Sequence, residues 1–172
     1  MITIAVKLDP GAVMPTRAHV DDVGYDVRAI KTSLITIENE VHPLEDADSC
    51  ERMADIGVDC YKLVIETGVH VQPQTGYYLD LVPNSRLGKS PFVFANSLGV
   101  IDPGYTGGMK IILDCIADVT PDDLKKFLPG SVVGQLIVRE KLDATFVQVD
   151  TLIETKRGEN GFGSTEHEKT HH

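Results

Sequence analysis

Apolar residues in this chain come in runs of strand length, and Gly or Pro cuts off most of these runs before a helical period can develop. Ile2 to Leu8 is followed by Pro10-Gly11, Tyr61 to Ile65 by Thr67-Gly68, and Val69 to Gln72 by Pro73-Gln74-Thr75-Gly76, after which Tyr77 to Val82 resumes. Arg17 to Ile30 contains Asp21-Asp22-Val23-Gly24-Tyr25-Asp26-Val27, a turn running into a strand. Leu34 to Ile37, Ser131 to Val138 and Thr145 to Val149 complete the set. No long helices alternate with these strands, so the pattern predicts an all-β sandwich or barrel rather than a parallel sheet. At 172 residues the chain fits one domain with a sizeable core, and it carries no internal repeat.

Two stretches depart from the β pattern. Residues 38–59 are strongly acidic, with Arg52 the single basic residue. Within them Asp48-Ser49-Cys50-Glu51 has the spacing of a capping box, which predicts one or two helical turns through Met53. Thr120-Pro121-Asp122-Asp123-Leu124-Lys125-Lys126 has a Thr N-cap, Pro at the first helical position, early acids and later lysines, and predicts a short helix. Both read as surface insertions between strands, the acidic one solvated or in contact with a partner.

A net charge of −10 argues against a nucleic-acid-coating protein and against a polybasic membrane binder. If the ligand is an anion, local basic residues and a divalent cation must offset that field. Nothing resembles a signal peptide or a spanning segment. Cys50, Cys60 and Cys115 are odd in number and lack a C-x-x-C pair, which fits reduced thiols in a cytoplasmic, nuclear or host-cytosol setting. A zinc site from Cys50, Cys60 and His42 would lack any paired ligand spacing.

The most chemically suggestive stretch is Asn96 to Gly107. Phe92, Val93 and Phe94 lead in, the alternation Met109, Ile111, Leu113 leads out, and Pro103-Gly104 turns the chain, which predicts one wide β-hairpin. Gly99 and Gly104 let backbone groups approach a small planar ligand, Asp102 could orient and deprotonate a water, and Tyr105 adds a flat ring. The same residues also suit a plain turn with an Asx-type aspartate and a packing tyrosine. Residues 155–165 have no hydrophobic period but combine Arg157, Phe162, three glycines and Ser164-Thr165. Those are the parts of a phosphate-gripping arm: backbone N–H groups, a guanidinium fork, hydroxyls and a ring to stack on a base.

Five motifs in order make the chain resemble a trimeric dUTPase (deoxyuridine triphosphate nucleotidohydrolase). They are Asp22 to Val27, Pro83-Asn84-Ser85-Arg86-Leu87-Gly88, the Asn96 to Tyr105 stretch, Pro129 to Ile137, and Arg157-Gly158 through Thr165. Two departures stand out. Asn84 occupies a position where the family usually has Arg, with Arg86 on the other side of Ser85, and Ser131-Val132 stands where Asp-Arg is usual. Glu166 replaces a common glycine, and His167, His171 and His172 read as a solvated tail or tag.

The resemblance implies a jelly-roll or β-barrel domain over 1–153 and a C-terminal arm over 154–172. It implies Mg²⁺-dependent hydrolysis of dUTP to dUMP and pyrophosphate, which limits uracil incorporation into DNA, in a homotrimer with shared active sites. Asp102 would be the catalytic base and Asp26 would hold Mg²⁺ through water. Asn96, Gly99, Val100, Ile101 and Met109 would contact the nucleotide around the hairpin, with Tyr105 under the deoxyribose. Ser85, Arg86 and Gln135 would hold phosphates, Phe162 and Gly163 would close over the base, and Arg157, Ser164 and Thr165 would grip the terminal phosphate. The sister enzyme dCTP deaminase needs a carboxylate on the strand after the hairpin, where this chain has Ile112. A non-catalytic nucleotide-binding relative is the other alternative.

Overall fold

The computed structural model describes residues 2–55 and 60–159. Its strands are β1 (Ile4–Leu8), β2 (Tyr25–Arg28), β3 (Lys31–Thr36), β4 (Val41–Leu44), β5 (Cys60–Glu66), β6 (Val69–Pro73), β7 (Tyr77–Val82), β8 (Phe92–Phe94), β9 (Gly99–Ile101), β10 (Lys110–Cys115) and β11 (Val132–Glu140). Two short helices, α1 (Ala47–Asp55) and α2 (Pro121–Lys125), interrupt them. The fold is all-β, as the strand-length runs require. No described helix is long and apolar enough to cross a membrane.

Three antiparallel sheets result: β4-β3-β5-β10-β8, β2-β11-β7-β9, and the pair β1-β6. Alternation along each strand decides which face is buried. In β10, Ile111 and Leu113 point inward while Lys110 and Ile112 are exposed. Leu34, Leu63, Leu113 and Phe94 fall into one cross-strand row, since Leu63 pairs with both Leu34 and Leu113, and Leu113 pairs with Phe94. All four are buried. The five- and four-stranded sheets meet at Gly134. A Cβ there would come within 3.1 Å of the Ile111 Cδ1 methyl and of the Val82 carbonyl oxygen, so the missing side chain is what lets the two layers close.

The acidic stretch is not a surface insertion. Val41–Leu44 pairs with β3 as the edge of the five-stranded sheet, and α1 sinks Cys50, Met53 and Ser49 into the core. Its cap lies two residues earlier than the spacing suggested. The Asp46 carboxylate accepts the Ser49 N–H at 2.8 Å, and Ser49 Oγ accepts the Asp46 N–H at 3.1 Å. Counting acids missed this because the buried residues occupy one narrow face of a largely polar helix. In α2 the expected cap is present, with reciprocal Thr120–Asp123 bonds and Pro121 in the first turn. That helix too is anchored, by Leu124 and the following Phe127, whose ring meets Phe92 edge-to-face at 5.3 Å. Glu51 of α1 and Asp122 both accept from Lys125, and these bonds hold its ammonium well above the usual lysine range.

The three cysteines are free. Burial, and then the neighbouring Cys115, pushes the Cys60 thiol up to about 12, so it stays protonated and unreactive at neutral pH.

The chain divides into two units, Met1–Leu142 and Asp143–His172. In the second unit Thr145 to Val149 is not a strand, because no described segment offers it a ladder of hydrogen bonds. Phe146 is 98% exposed there. A turn closes where the Gly158 N–H reaches the Thr155 carbonyl at 3.0 Å, with Gly158 at φ 52°.

Leu63 is fully buried at the centre of the cross-strand row. Leu63→Ala is therefore expected to destabilise the protein by about 2–5 kcal/mol, read as a lowered urea midpoint with an unchanged m-value.

Candidate functional site

Four of the five motif segments lie on or beside a single sheet. Asp26 is on β2, Gln135 is its cross-strand partner on β11, Ser85 and Arg86 follow the end of β7, and Gly99, Val100 and Ile101 form β9. The sheet order β2-β11-β7-β9 puts the segments side by side although they are far apart in sequence.

At one end of this sheet Gln135 Nε2 donates to Asp26 Oδ1 at 2.8 Å. Gly24 makes room for that amide, since a Cβ there would lie 2.8 Å from Gln135 Oε1. Asp26 is half-buried, which leaves one partly solvated carboxylate with an oxygen already engaged. Such a group suits a hydrated Mg²⁺ held through its waters better than direct chelation. Among the described residues no group of three or more His, Cys, Asp or Glu converges on a metal position.

The expected hairpin is only partly one. β8 and β10 pair directly, but the chain between them leaves that sheet and gives β9 to β7. Ser97, at φ 57°, makes the redirecting turn with its N–H on the Phe94 carbonyl at 3.1 Å. Gly99 then packs under Leu81, whose Cβ would lie 3.3 Å from a Cβ at position 99. β9 is thus an edge strand, with alternate backbone groups facing away from β7. Periodicity could not reveal this switch, because each short apolar run suits either sheet.

Asp102 and Tyr105 occupy the turn after β9, closed by the Tyr105 N–H on the Asp102 carbonyl at 3.0 Å, and both side chains are exposed. The Tyr105 hydroxyl donates to the Gly108 carbonyl at 3.2 Å. Its ring folds back over Gly107, where an added Cβ would be 2.6 Å from the hydroxyl oxygen. Asn96 and Val100 are exposed, whereas Gly99 and Ile101 are buried. Met109 stands apart from the expected contact. Its side chain is 2% exposed and faces the core, its N–H goes to Val69, and its carbonyl accepts from the backbone and hydroxyl of Thr67.

A family model described as dUTPase matches residues 55–166. The chain belongs to the dUTPase family. The deoxyuridine 5'-triphosphate nucleotidohydrolase of Rhodococcus erythropolis is 30% identical over 166 residues, covering 95% of this chain and 86% of that protein. The Nocardia farcinica protein of the same name is 32% identical over 160 residues, covering 92% and 82%. Among solved structures, the Staphylococcus bacteriophage 80alpha dUTPase with dUPNHPP superposes with a TM-score of 0.69 at 26% identity, covering 94% of this chain and 97% of that one.

Against that dUTPase background the two departures acquire a geometry. Asn84 Nδ2 donates to the Val132 carbonyl at 3.3 Å, and its Oδ1 accepts the Arg86 N–H at 3.1 Å. A neutral amide therefore ties the second motif segment to β11. Arg86 is exposed beside Ser85. Arg157 lies in the second unit, and Phe162, Gly163, Ser164 and Thr165 lie outside the described residues. Ile112 is exposed on β10. Sequence reasoning passed over Gly107 and Gly108, which shape the tyrosine turn, and His70, whose ring reaches the Thr106 carbonyl. Nothing in a lone histidine on a strand points to such a contact.

Gly107→Ala is expected to swing the half-exposed Tyr105 ring off the Gly108 carbonyl while changing the melting temperature by no more than about 3 °C. Aromatic NMR of Tyr105 checks this, and an unmoved ring would contradict the contact.

Proposed function

We propose that this chain hydrolyses dUTP to dUMP and pyrophosphate, with Asp102 as the base that orients and deprotonates the attacking water. The observation that carries the reading is the end of β9, an edge strand leading directly into a turn that exposes a carboxylate beside a tyrosine ring. An edge strand can pair with a uracil edge as it would with another strand, and Val100 is the exposed side chain there. Tyr105, held from behind by Gly108, suits a face against which deoxyribose packs and a 2′-hydroxyl clashes.

The water oxygen bonds to the α-phosphorus, the bond from that phosphorus to the bridging oxygen breaks, pyrophosphate leaves, and Asp102 takes the water proton. Ser85, Arg86 and Gln135 are the groups for phosphate oxygens, and Asn96 supports the pocket behind Gly99, its amide 3.6 Å from the Cβ position there. A hydrated Mg²⁺ near Asp26 would neutralise charge on the triphosphate. Arg157, Phe162, Gly163, Ser164 and Thr165 complete the reading as the closing arm.

We further propose a homotrimer with shared sites. Gln135 pairs with both Asp26 and Val82, whereas Ile101 pairs with Leu79, three rows further along the sheet. That separation is about 10 Å along the strands, and Asp102 continues beyond it. One chain thus holds its base away from its own Asp26 and Gln135, and a neighbouring copy would bring the two halves together.

Pyrophosphate release should strongly favour dUTP over dCTP, dTTP and UTP, by roughly 10⁴ for a site that hydrogen-bonds its substrate's edge, and comparable turnover of dCTP would refute the assignment. Asp102→Asn should retain nucleotide binding and lose about 10²–10⁴ in kcat. Mixing Asp102→Asn with a Ser85→Ala/Gln135→Ala double variant should restore part of the activity as subunits exchange. Activity from a monomer in light scattering would refute the shared site.

A further inference from the structure

We propose that His70, in its doubly protonated form, is the positioning residue that holds the Tyr105 turn in its ribose-excluding place, so that sugar discrimination weakens as pH rises. The proposal rests on the assignment of that turn to the deoxyribose. His70 lies on β6, outside all five motifs, and touches no group assigned to the nucleotide.

The geometry requires two donors. Nδ1 of His70 is 2.9 Å from the Thr106 carbonyl oxygen, and Nε2 is 3.1 Å from Asp9 Oδ2. A carbonyl and an ionised carboxylate only accept, while a neutral imidazole has one N–H. The neutral ring therefore meets one acceptor with a lone pair, whereas the imidazolium donates to both. The side chain is 19% exposed, so water has little access to replace the lost bond.

Each end of the bridge is attached to something definite. Asp9 sits on a fixed corner, its N–H on the Gly68 carbonyl at 2.8 Å and its carbonyl accepting from Ala12 at 3.0 Å. Gly68, at φ 62°, is enclosed there by Ile30 and Ala12. At the other end, Thr106 directly follows Tyr105 in an exposed turn. The ring also packs against Gly108, with its Cε1 and Nε2 3.4 Å from the Cβ position, and Gly108 supplies the carbonyl that accepts the Tyr105 hydroxyl. Asp9, His70, Thr106, Tyr105 and Gly108 thus form one connected path from the body of the sheet pair β1-β6 to the tyrosine ring.

The charged neighbours are Asp9 at the foot of β1's corner and Lys7, cross-strand from His70 on β1; from the turn comes the Thr106 carbonyl dipole. The Thr106 carbonyl and then the Asp9 carboxylate raise the imidazolium above its ordinary value of 6.5, opposed by desolvation and by Lys7. A raised histidine contributes its stabilisation fully below the ordinary value and loses it as pH climbs through the raised one. The turn is therefore held in mildly acidic solution and released above it.

The test measures kcat/KM for dUTP and for UTP on the full-length protein between about pH 5.5 and pH 8.5. Their ratio cancels ionisations common to both substrates, those of Asp102 and the triphosphate included. The ratio should fall by about fivefold, with its inflection above the ordinary histidine value. In His70→Gln it should be low and flat. Asp9→Asn should move the inflection down and Lys7→Gln should move it up, opposite shifts that a merely structural histidine would not produce. Long-range ¹⁵N spectra should show both His70 ring nitrogens protonated below the inflection and one above it. A parent that turns over dUTP with a flat ratio, or with the same inflection in His70→Gln, overturns the role of His70 alone. A parent without dUTP turnover at any pH overturns this role together with the functional assignment beneath it.

Discussion

The pairing of β7 on both sides, with β11 along one edge and β9 along the other, is the constraint on which the rest of the site depends. It places residues from four distant motif segments on one sheet, and its register decides which of them are neighbours. Because Gln135 pairs with Val82 while Ile101 pairs with Leu79, the carboxylate of Asp26 and that of Asp102 are assigned to opposite ends. Slipping β9 by one residue would turn Val100 inward and Ile101 outward. The tight packing of Gly99 against Leu81, 3.3 Å from a Cβ placed at position 99, favours the observed register.

The same economy governs the layer contact. Gly134 allows Ile111 from the opposite sheet to approach β11, and the neighbouring Gln135 then points away from the core toward Asp26. An apolar packing requirement and a polar site thus occupy consecutive residues of one strand, as strand alternation allows. At the turn after β9 the glycines act differently. Gly107 and Gly108 leave space for rings, of Tyr105 and of His70, so the turn is shaped by side chains folding onto backbone.

The acidic region shows where composition misleads. Eight acids across residues 38–59 suggested a solvated insertion, yet β4 completes a sheet and Cys50 is fully buried. A helix needs only a narrow apolar stripe to be held, and Cys50 and Met53 supply it three residues apart. Thr145 to Val149 shows the reverse error. Its residues have strand propensity, but no described segment pairs with it, and propensity alone makes no ladder.

Local information sufficed for the strand-length runs, the Pro103-Gly104 turn, the Thr120 cap and the motif order, because each depends on neighbouring residues and on backbone rules that hold anywhere in a chain. It also carried family membership, since motif residues can be matched without knowing where they lie. Only the tertiary structure decided that Asn96 to Gly107 is divided between two sheets, that Met109 faces the core, that Asn84 spans to the Val132 carbonyl, and that His70 meets Asp9 and Thr106. Those outcomes depend on pairings between residues far apart in sequence. A short apolar run fits either of two sheets equally well on its own, and the choice is made only when all the strands compete for the same core.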